Sequence, residues 1–160
     1  MTYNNNENSK QSEIDETRLL AEEQLKMEEK IKSGANWFFW IAVLSIVNTL
    51  LILTGSEWSM IIGLGITQFV TFIAIEIGLS ANVIAFAVTL LVAGVFVFFG
   101  VFARKRHNWA FIIGMVFYTL DSILFLLVGD WLSIGFHVFA LFWIYGGLRT
   151  NIKYPRTQPV

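Results

Sequence analysis

The chain has 160 residues, of which 56% are hydrophobic and 16% aromatic, but only 14% are charged, against about 25% in an ordinary soluble domain. The shortage of charged residues lies between Gly34 and Leu148, where 115 residues contain only seven charged side chains. This composition excludes a soluble globular enzyme and predicts a protein embedded in the lipid bilayer. The net charge of −1 and the absence of cysteine give no basis for a nucleic-acid partner, a metal centre or a bound cofactor.

The N-terminal fifth is polar and carries most of the charge. Residues 1–11 are rich in asparagine and are predicted to be a disordered tail. Residues 12–34 are predicted to form a charged amphipathic helix in the cytosol or beside the membrane, with Ser12 as its N-cap and Gly34 as its end. Two interpretations stay open for it, a solvated helix or a helix that docks on a protein partner or on itself.

Five apolar segments follow, each of 17 to 21 residues, which is enough for a helix to cross a hydrocarbon core about 30 Å thick. Their polarity does not alternate, which excludes the strands of a membrane barrel. The sequence therefore predicts an all-α integral membrane helical bundle, followed by a polar C-terminal tail over residues 149–160. The predicted segments are 37–53, 60–77, 83–103, 109–128 and 131–148.

The first and last hairpins are similar, which suggests an internal repeat. The matched positions are Asn36-Trp37 with Asn108-Trp109, Asn48 with Asp121, and Glu57-Trp58 with Asp130-Trp131. If the middle segment spans, the two hairpins have opposite orientations, as in many secondary transporters.

The basic residues disagree with a simple five-helix topology. They flank the membrane in three clusters, and cytoplasmic loops are the ones enriched in Lys and Arg. Five spans place only two clusters inside, whereas four spans with a re-entrant segment 60–77 place all three there. Segment length favours five transmembrane helices, and four spans plus one re-entrant helix is the alternative. The clusters are Lys26/Lys30/Lys32, Arg104/Lys105/Arg106 and Arg149/Lys153/Arg156.

Few strongly polar side chains lie deep in the apolar segments, where each costs roughly 2.5–3.5 kcal/mol to insert. Asp121 and His137 lie at equal distances from the Gly129–Asp130 turn, so a hydrogen bond or ion pair between them is predicted. Tyr118 lies one turn from Asp121, and Asn48 occupies the matching position of the first hairpin. These four residues form the candidate intramembrane site, either a polar clamp between helices or a proton- or ion-coupling site.

Two other groups of polar residues are expected to serve structure. Gly129 is predicted to end the fourth helix and Asp130 to cap the fifth. The run Arg104, Lys105 and Arg106 is interpreted as a topology determinant or as a site for anionic lipid head groups.

A likeness to known proteins lies in four stretches of the chain, Asn36–Trp40, Gly63–Gln68, Phe102–Asp121 and Val128–Leu141. Together they resemble a family of small bacterial multi-pass membrane proteins without assigned function. The resemblance covers residues 35–148 and implies a bacterial cytoplasmic (inner) membrane location, but it supplies no catalytic residues.

The chain contains no protease, hydrolase or phosphate-binding motif, and no enzyme activity is expected. The favoured hypothesis is a structural or interaction membrane protein. The alternative is a small transporter or proton- or ion-coupled carrier that uses the Asp121–His137 pair. Five helices make a thin bundle around any pathway, so the carrier hypothesis also predicts a homo-oligomer.

Overall fold

The computed structural model describes residues 3–54, 64–77 and 81–154, and this part of the chain contains five α-helices and no strand. Four of these helices are long and apolar enough to cross a membrane, so the all-α membrane bundle is confirmed. The fifth helix, α2, has only 13 described residues. The helices are α1 (Tyr3–Leu53), α2 (Gly65–Ile77), α3 (Ala81–Arg104), α4 (Asn108–Val128) and α5 (Trp131–Lys153).

Helices α1 and α3 are antiparallel, as two hydrogen bonds between them establish. The Arg104 Nε donates to Asn36 Oδ1 over 2.8 Å, and the Thr49 and Thr89 hydroxyls lie 3.0 Å apart. Leu53 and Ala81 therefore lie at the same end of the bundle. We call this the turn end, because it also holds the α4–α5 turn. The other end, which holds the Arg104–Arg106 connection, is called the basic end.

The α2 helix begins inside the bundle and leads back to the turn end. The Leu64 N–H donates to Ser45 Oγ over 3.2 Å, and Ser45 lies eight residues, or about 12 Å, before the end of α1. The chain then continues into α3, whose first residue is again at the turn end. Among the described residues four helices are long and apolar enough to span, so the alternative of four spans plus a re-entrant helix fits them better than five spans. The start of the predicted segment, residues 60–63, lies outside them.

This arrangement brings the three basic clusters to one end. Arg106 bonds to Asn151 near the end of α5, and Lys26 and Lys30 of α1 share a groove with Arg149 and Lys153. Arg156 lies outside the described residues. The disagreement between charge and topology disappears because the apolar segment 60–77 contributes no span.

The same finding removes the inverted orientation that the predicted repeat would have had with five spans. Both of its first helices, α1 and α4, run from the basic end to the turn end, so they are parallel and not inverted. Asn36 and Asn108 lie together at the basic end, where each accepts a hydrogen bond. Glu57-Trp58 lies outside the described residues, and the duplication itself stays a prediction.

Topology mapping should show four spans and a segment between α1 and α3 that does not cross the membrane. Reporter fusions at the N-terminus, in residues 104–108 and at the C-terminus should all report one side of the membrane. Fusions at residues 57, 79 and 130 should all report the other side, because the flanking helix ends, Leu53 and Ala81, both lie at the turn end. Opposite results at residues 57 and 79 would show that the segment spans after all.

The N-terminal helix and the first span are one continuous helix, which corrects three predictions. Residues 3–11 are helical, Ser12 does not begin a helix, and Gly34 does not end one. The stretch from Tyr3 to Leu53 contains no proline, and Gly34 serves close packing instead. A β-carbon built on Gly34 would lie 2.7 Å from the Cα of Gly147 in α5. The backbones of α1 and α5 therefore touch at this crossing, as small residues allow in membrane helices.

The ends of α4 and α5 confirm one prediction and change another. Gly129 has φ of 72° and ends α4, and the Asp130 carboxylate accepts from the Ser133 N–H over 3.2 Å. However, α5 runs to Lys153, so residues 149–153 belong to the helix and not to the predicted tail. The extension is held by Asn151, whose side-chain amide donates to the Arg106 carbonyl oxygen over 2.9 Å.

Candidate functional site

The Asp121–His137 pair predicted from the sequence is present. His137 Nε2 lies 3.1 Å from Asp121 Oδ2, and both side chains are buried. Asp121 is seven residues before the end of α4 and His137 six residues after the start of α5. The pair is therefore about 10 Å deep from the turn end, well inside the span.

The hydrogen bonds of His137 engage both of its ring nitrogens. His137 Nδ1 lies 2.8 Å from the Ser133 carbonyl oxygen, which can only accept, so Nδ1 is the donor of this bond. On the other side of the ring, Nε2 faces the Asp121 carboxyl group. The imidazole is therefore held between α4 and its own helix, α5.

Asp121 also caps the start of α2, which the sequence did not indicate. The Gly65 N–H donates to Oδ2 over 2.7 Å, and the Ile66 N–H donates to Oδ1 over 2.9 Å. Together with Ser45, which accepts from Leu64, three backbone donors at the beginning of the helix are satisfied by side chains of α1 and α4. Unsatisfied donors would cost several kcal/mol each in lipid. This capping is what allows α2 to begin inside the bundle.

Aromatic rings enclose the pair. The Tyr118 ring stacks on the His137 imidazole with centroids 4.2 Å apart and planes inclined by 17°, and the Phe125 ring lies 5.1 Å away. Tyr118 thus takes a place beside the pair, as its one-turn spacing from Asp121 predicted. These ring contacts restrict the orientation of the imidazole.

Asn48, the fourth predicted site residue, differs from the other three. It is fully buried in α1, yet neither its amide nitrogen nor its amide oxygen has a hydrogen-bond partner. The Gln68 side-chain nitrogen in α2 is buried and unpartnered as well. Buried polar atoms of this kind are rare in native structures and mark places where a water, an ion or a ligand can bind.

The Arg104, Lys105 and Arg106 cluster is tied to the protein. The Arg104 guanidinium donates to Asn36 and lies 4.7 Å from the Phe39 ring, and Lys105 lies over the Phe102 ring. Arg106 donates to Asn151 Oδ1 over 2.9 Å and to the Tyr154 carbonyl oxygen. These contacts join α3 and the α3–α4 connection to α1 and α5 at the basic end, which is a structural role beside the predicted topological one.

The described residues contain no group of three His, Asp or Glu side chains that could hold a metal ion. Sequence reasoning identified the Asp121–His137 contact from equal depth, but it missed Ser45 and the backbone donors of residues 64–66. The apolar stretch around Gly65 carries no Asp, Asn, Ser or Thr cap of its own, and that lack is the signal that a cap comes from elsewhere. No protein-family model, curated protein or solved structure matches this chain, so its resemblance to small bacterial membrane proteins stays a prediction.

Proposed function

We propose that this chain is a structural and interaction protein of the bacterial cytoplasmic membrane. In this proposal the bundle anchors a rigid helical arm, residues 3–30 of α1, which makes protein contacts outside the membrane. The chain acts without a cofactor and without enzymatic chemistry. The three basic clusters at one end support a cytoplasmic arm, because cytoplasmic connections are enriched in Lys and Arg.

The exposed apolar side chains of the arm carry the proposal. Leu19, Leu20 and Leu25 are 64%, 55% and 63% exposed, although the charged residues around them place the arm in water. The arm extends about 42 Å at the rise of an α-helix. A helix that buries no apolar face is stable only when something covers that face or many side-chain pairs support it. Ile14 and Leu25 lie on one stripe, eleven residues apart, and offer such a face.

The polar centre supports an anchoring role for the bundle. Both oxygens of Asp121 and both ring nitrogens of His137 are engaged by this chain's own atoms. A pair used in this way holds α2, α4 and α5 together. It thus serves as a clamp.

Photo-crosslinking in intact cells tests the proposed contacts of the arm. A benzophenone amino acid at Ile14 or Leu25 of the full chain should give one discrete adduct. An adduct of twice the 18.2 kDa chain mass would indicate a second copy, and another single mass a different protein partner. The same group at Ser12, which is exposed on the side of the helix opposite Ile14 and has only polar neighbours one turn away, should give much less. Absence of any adduct at Ile14 and Leu25 would contradict the proposal.

A carrier is the second candidate, favoured by Asn48 alone. Its unpartnered amide is buried in the same bundle as a re-entrant helix whose start lies in the membrane. Broken helices of this type bind solutes and ions in secondary transporters. In this chain the start of the helix is already occupied by the Asp121 carboxylate, so the carrier would have to exchange that contact for its solute.

A further inference from the structure

A groove at the basic end lies between the arm and the last turns of α5. It has a volume of about 320 Å³, which is within the range of small-molecule sites. The walls come from two helices that diverge beyond the contact between Gly34 and Gly147. The lining residues are Lys26, Met27, Lys30, Arg149, Thr150, Lys153 and Tyr154.

The groove is strongly cationic. Four of its lining residues are Lys or Arg and none is Asp or Glu. Within the described chain Lys26, Lys30 and Arg149 have no ion pair, and Lys153 lies 5.3 Å from the Tyr154 ring centroid. Four carboxylates lie on the neighbouring turns of α1, those of Glu22, Glu23, Glu28 and Glu29, but none of them lines the groove. Like charges brought together without a counter-ion repel one another, so the groove is suited to an anion.

The α5 wall of the groove is held in place by the basic connection. Arg106 donates to Asn151 Oδ1 and to the Tyr154 carbonyl oxygen, and Asn151 donates back to the Arg106 carbonyl and to Asn108 Oδ1. The α1 wall is fixed by the crossing of Gly34 on Gly147. The packing of the two helices therefore holds the cationic side chains close together before any anion binds. This preorganisation lowers the cost of binding.

We expect the groove to lie at the level of the lipid head groups. Its cations lie between about 3 and 12 Å beyond the Gly34–Gly147 crossing along the two helices. The head-group layer occupies roughly 5–8 Å outside the hydrocarbon on each side of a bilayer. Trp37 and Trp109, residues typical of the membrane interface, lie at the basic end close to this crossing.

We propose that this groove binds the phosphate group of an anionic phospholipid. Lys30 and Arg149, on opposite walls, hold the phosphate, and Lys26 and Lys153 add charge further out. The proposal does not depend on the contacts of the arm with other proteins. It assigns a lipid site to the α1–α5 groove and not to the Arg104–Arg106 cluster, whose arginines are engaged within the protein.

Native mass spectrometry of the full chain in mixed micelles can test the site. The wild-type protein should retain phosphatidylglycerol in preference to phosphatidylcholine. Lys30→Gln with Arg149→Gln should lower that retention by about 25-fold, since each of the two cations near an anionic lipid contributes about a fivefold factor. The control, Lys32→Gln with Lys105→Gln, removes the same charge at the same end outside the groove and should change retention less than about threefold. All three proteins should unfold at the same temperature, because these side chains are exposed.

Competition identifies the source of the phosphate. Glycerol 3-phosphate and inorganic phosphate should fail to displace the bound phosphatidylglycerol at millimolar concentration, because they lack the acyl chains that anchor the lipid. Displacement by either one, equal retention of the two lipids, or an equal loss in both double variants would overturn the proposal.

Discussion

Asp121→Ala is expected to destabilise the bundle by about 3–5 kcal/mol, the cost of breaking a buried pair by removal of one partner. Two backbone donors at the start of α2 and the His137 ring would lose their acceptor at once. His137→Gln should cost less, about 1–2 kcal/mol, because its amide can still donate to a carboxylate that keeps both backbone bonds. The free energy of unfolding can be measured by SDS titration in mixed micelles.

Asp130→Ala is the matched control for this prediction. Asp130 lies on the same helical hairpin, but it caps its own helix next to the α4–α5 turn, so its loss should cost only about 1 kcal/mol. Similar costs for the two alanine variants would contradict the role assigned to Asp121.

Asn48→Leu separates the two candidate functions. If the polar centre only clamps the helices, the variant should be as stable as the wild type or more stable, because it removes an unsatisfied buried amide. A carrier would instead lose a solute-specific phenotype in that variant.

Gly34→Ala should separate α1 from α5 and lower the free energy of unfolding by about 3 kcal/mol, at the upper end of the cost of overpacking. The new methyl would lie 2.7 Å from the Gly147 Cα and 3.0 Å from the Trp143 carbonyl oxygen. Both neighbours are backbone atoms, which cannot rotate away as a side chain can. The two helices would have to move apart along the whole basic end.

Gly146→Ala is the control for the crossing. Gly146 is adjacent to Gly147 in α5, but a β-carbon there would meet nothing within 4 Å. This variant should be neutral or slightly stabilising, because alanine favours a helix over glycine by about 1 kcal/mol. Disulfide crosslinking between cysteines placed at Ile31 and Leu148 would report whether the helices separate. Equal stability of the two alanine variants would show that the crossing is not tightly packed.

The apolar segments predicted most of the fold, because a hydrocarbon environment leaves helices as the only solution for such stretches. Equal depth from a turn was enough to bring Asp121 and His137 together, since an antiparallel hairpin has a fixed register. Two features of the fold could not be predicted from the sequence. Gly34 was predicted to end a helix, but the tertiary contact with Gly147 decided its role. Segment 60–77 was predicted to span because its length permits it, and length alone cannot show where a helix begins.

The start of α2 has a consequence for the order in which the protein assembles. The carboxylate that accepts from Gly65 is 56 residues further along the chain, on a helix made after α3. Until α4 is inserted, the backbone donors of residues 65 and 66 have no acceptor in lipid, and the segment gains by staying in water or at the interface. Insertion of residues 54–80 should therefore be a late step, which follows synthesis of the α4–α5 hairpin. A chain truncated before residue 121 would be expected to leave this segment accessible to aqueous reagents.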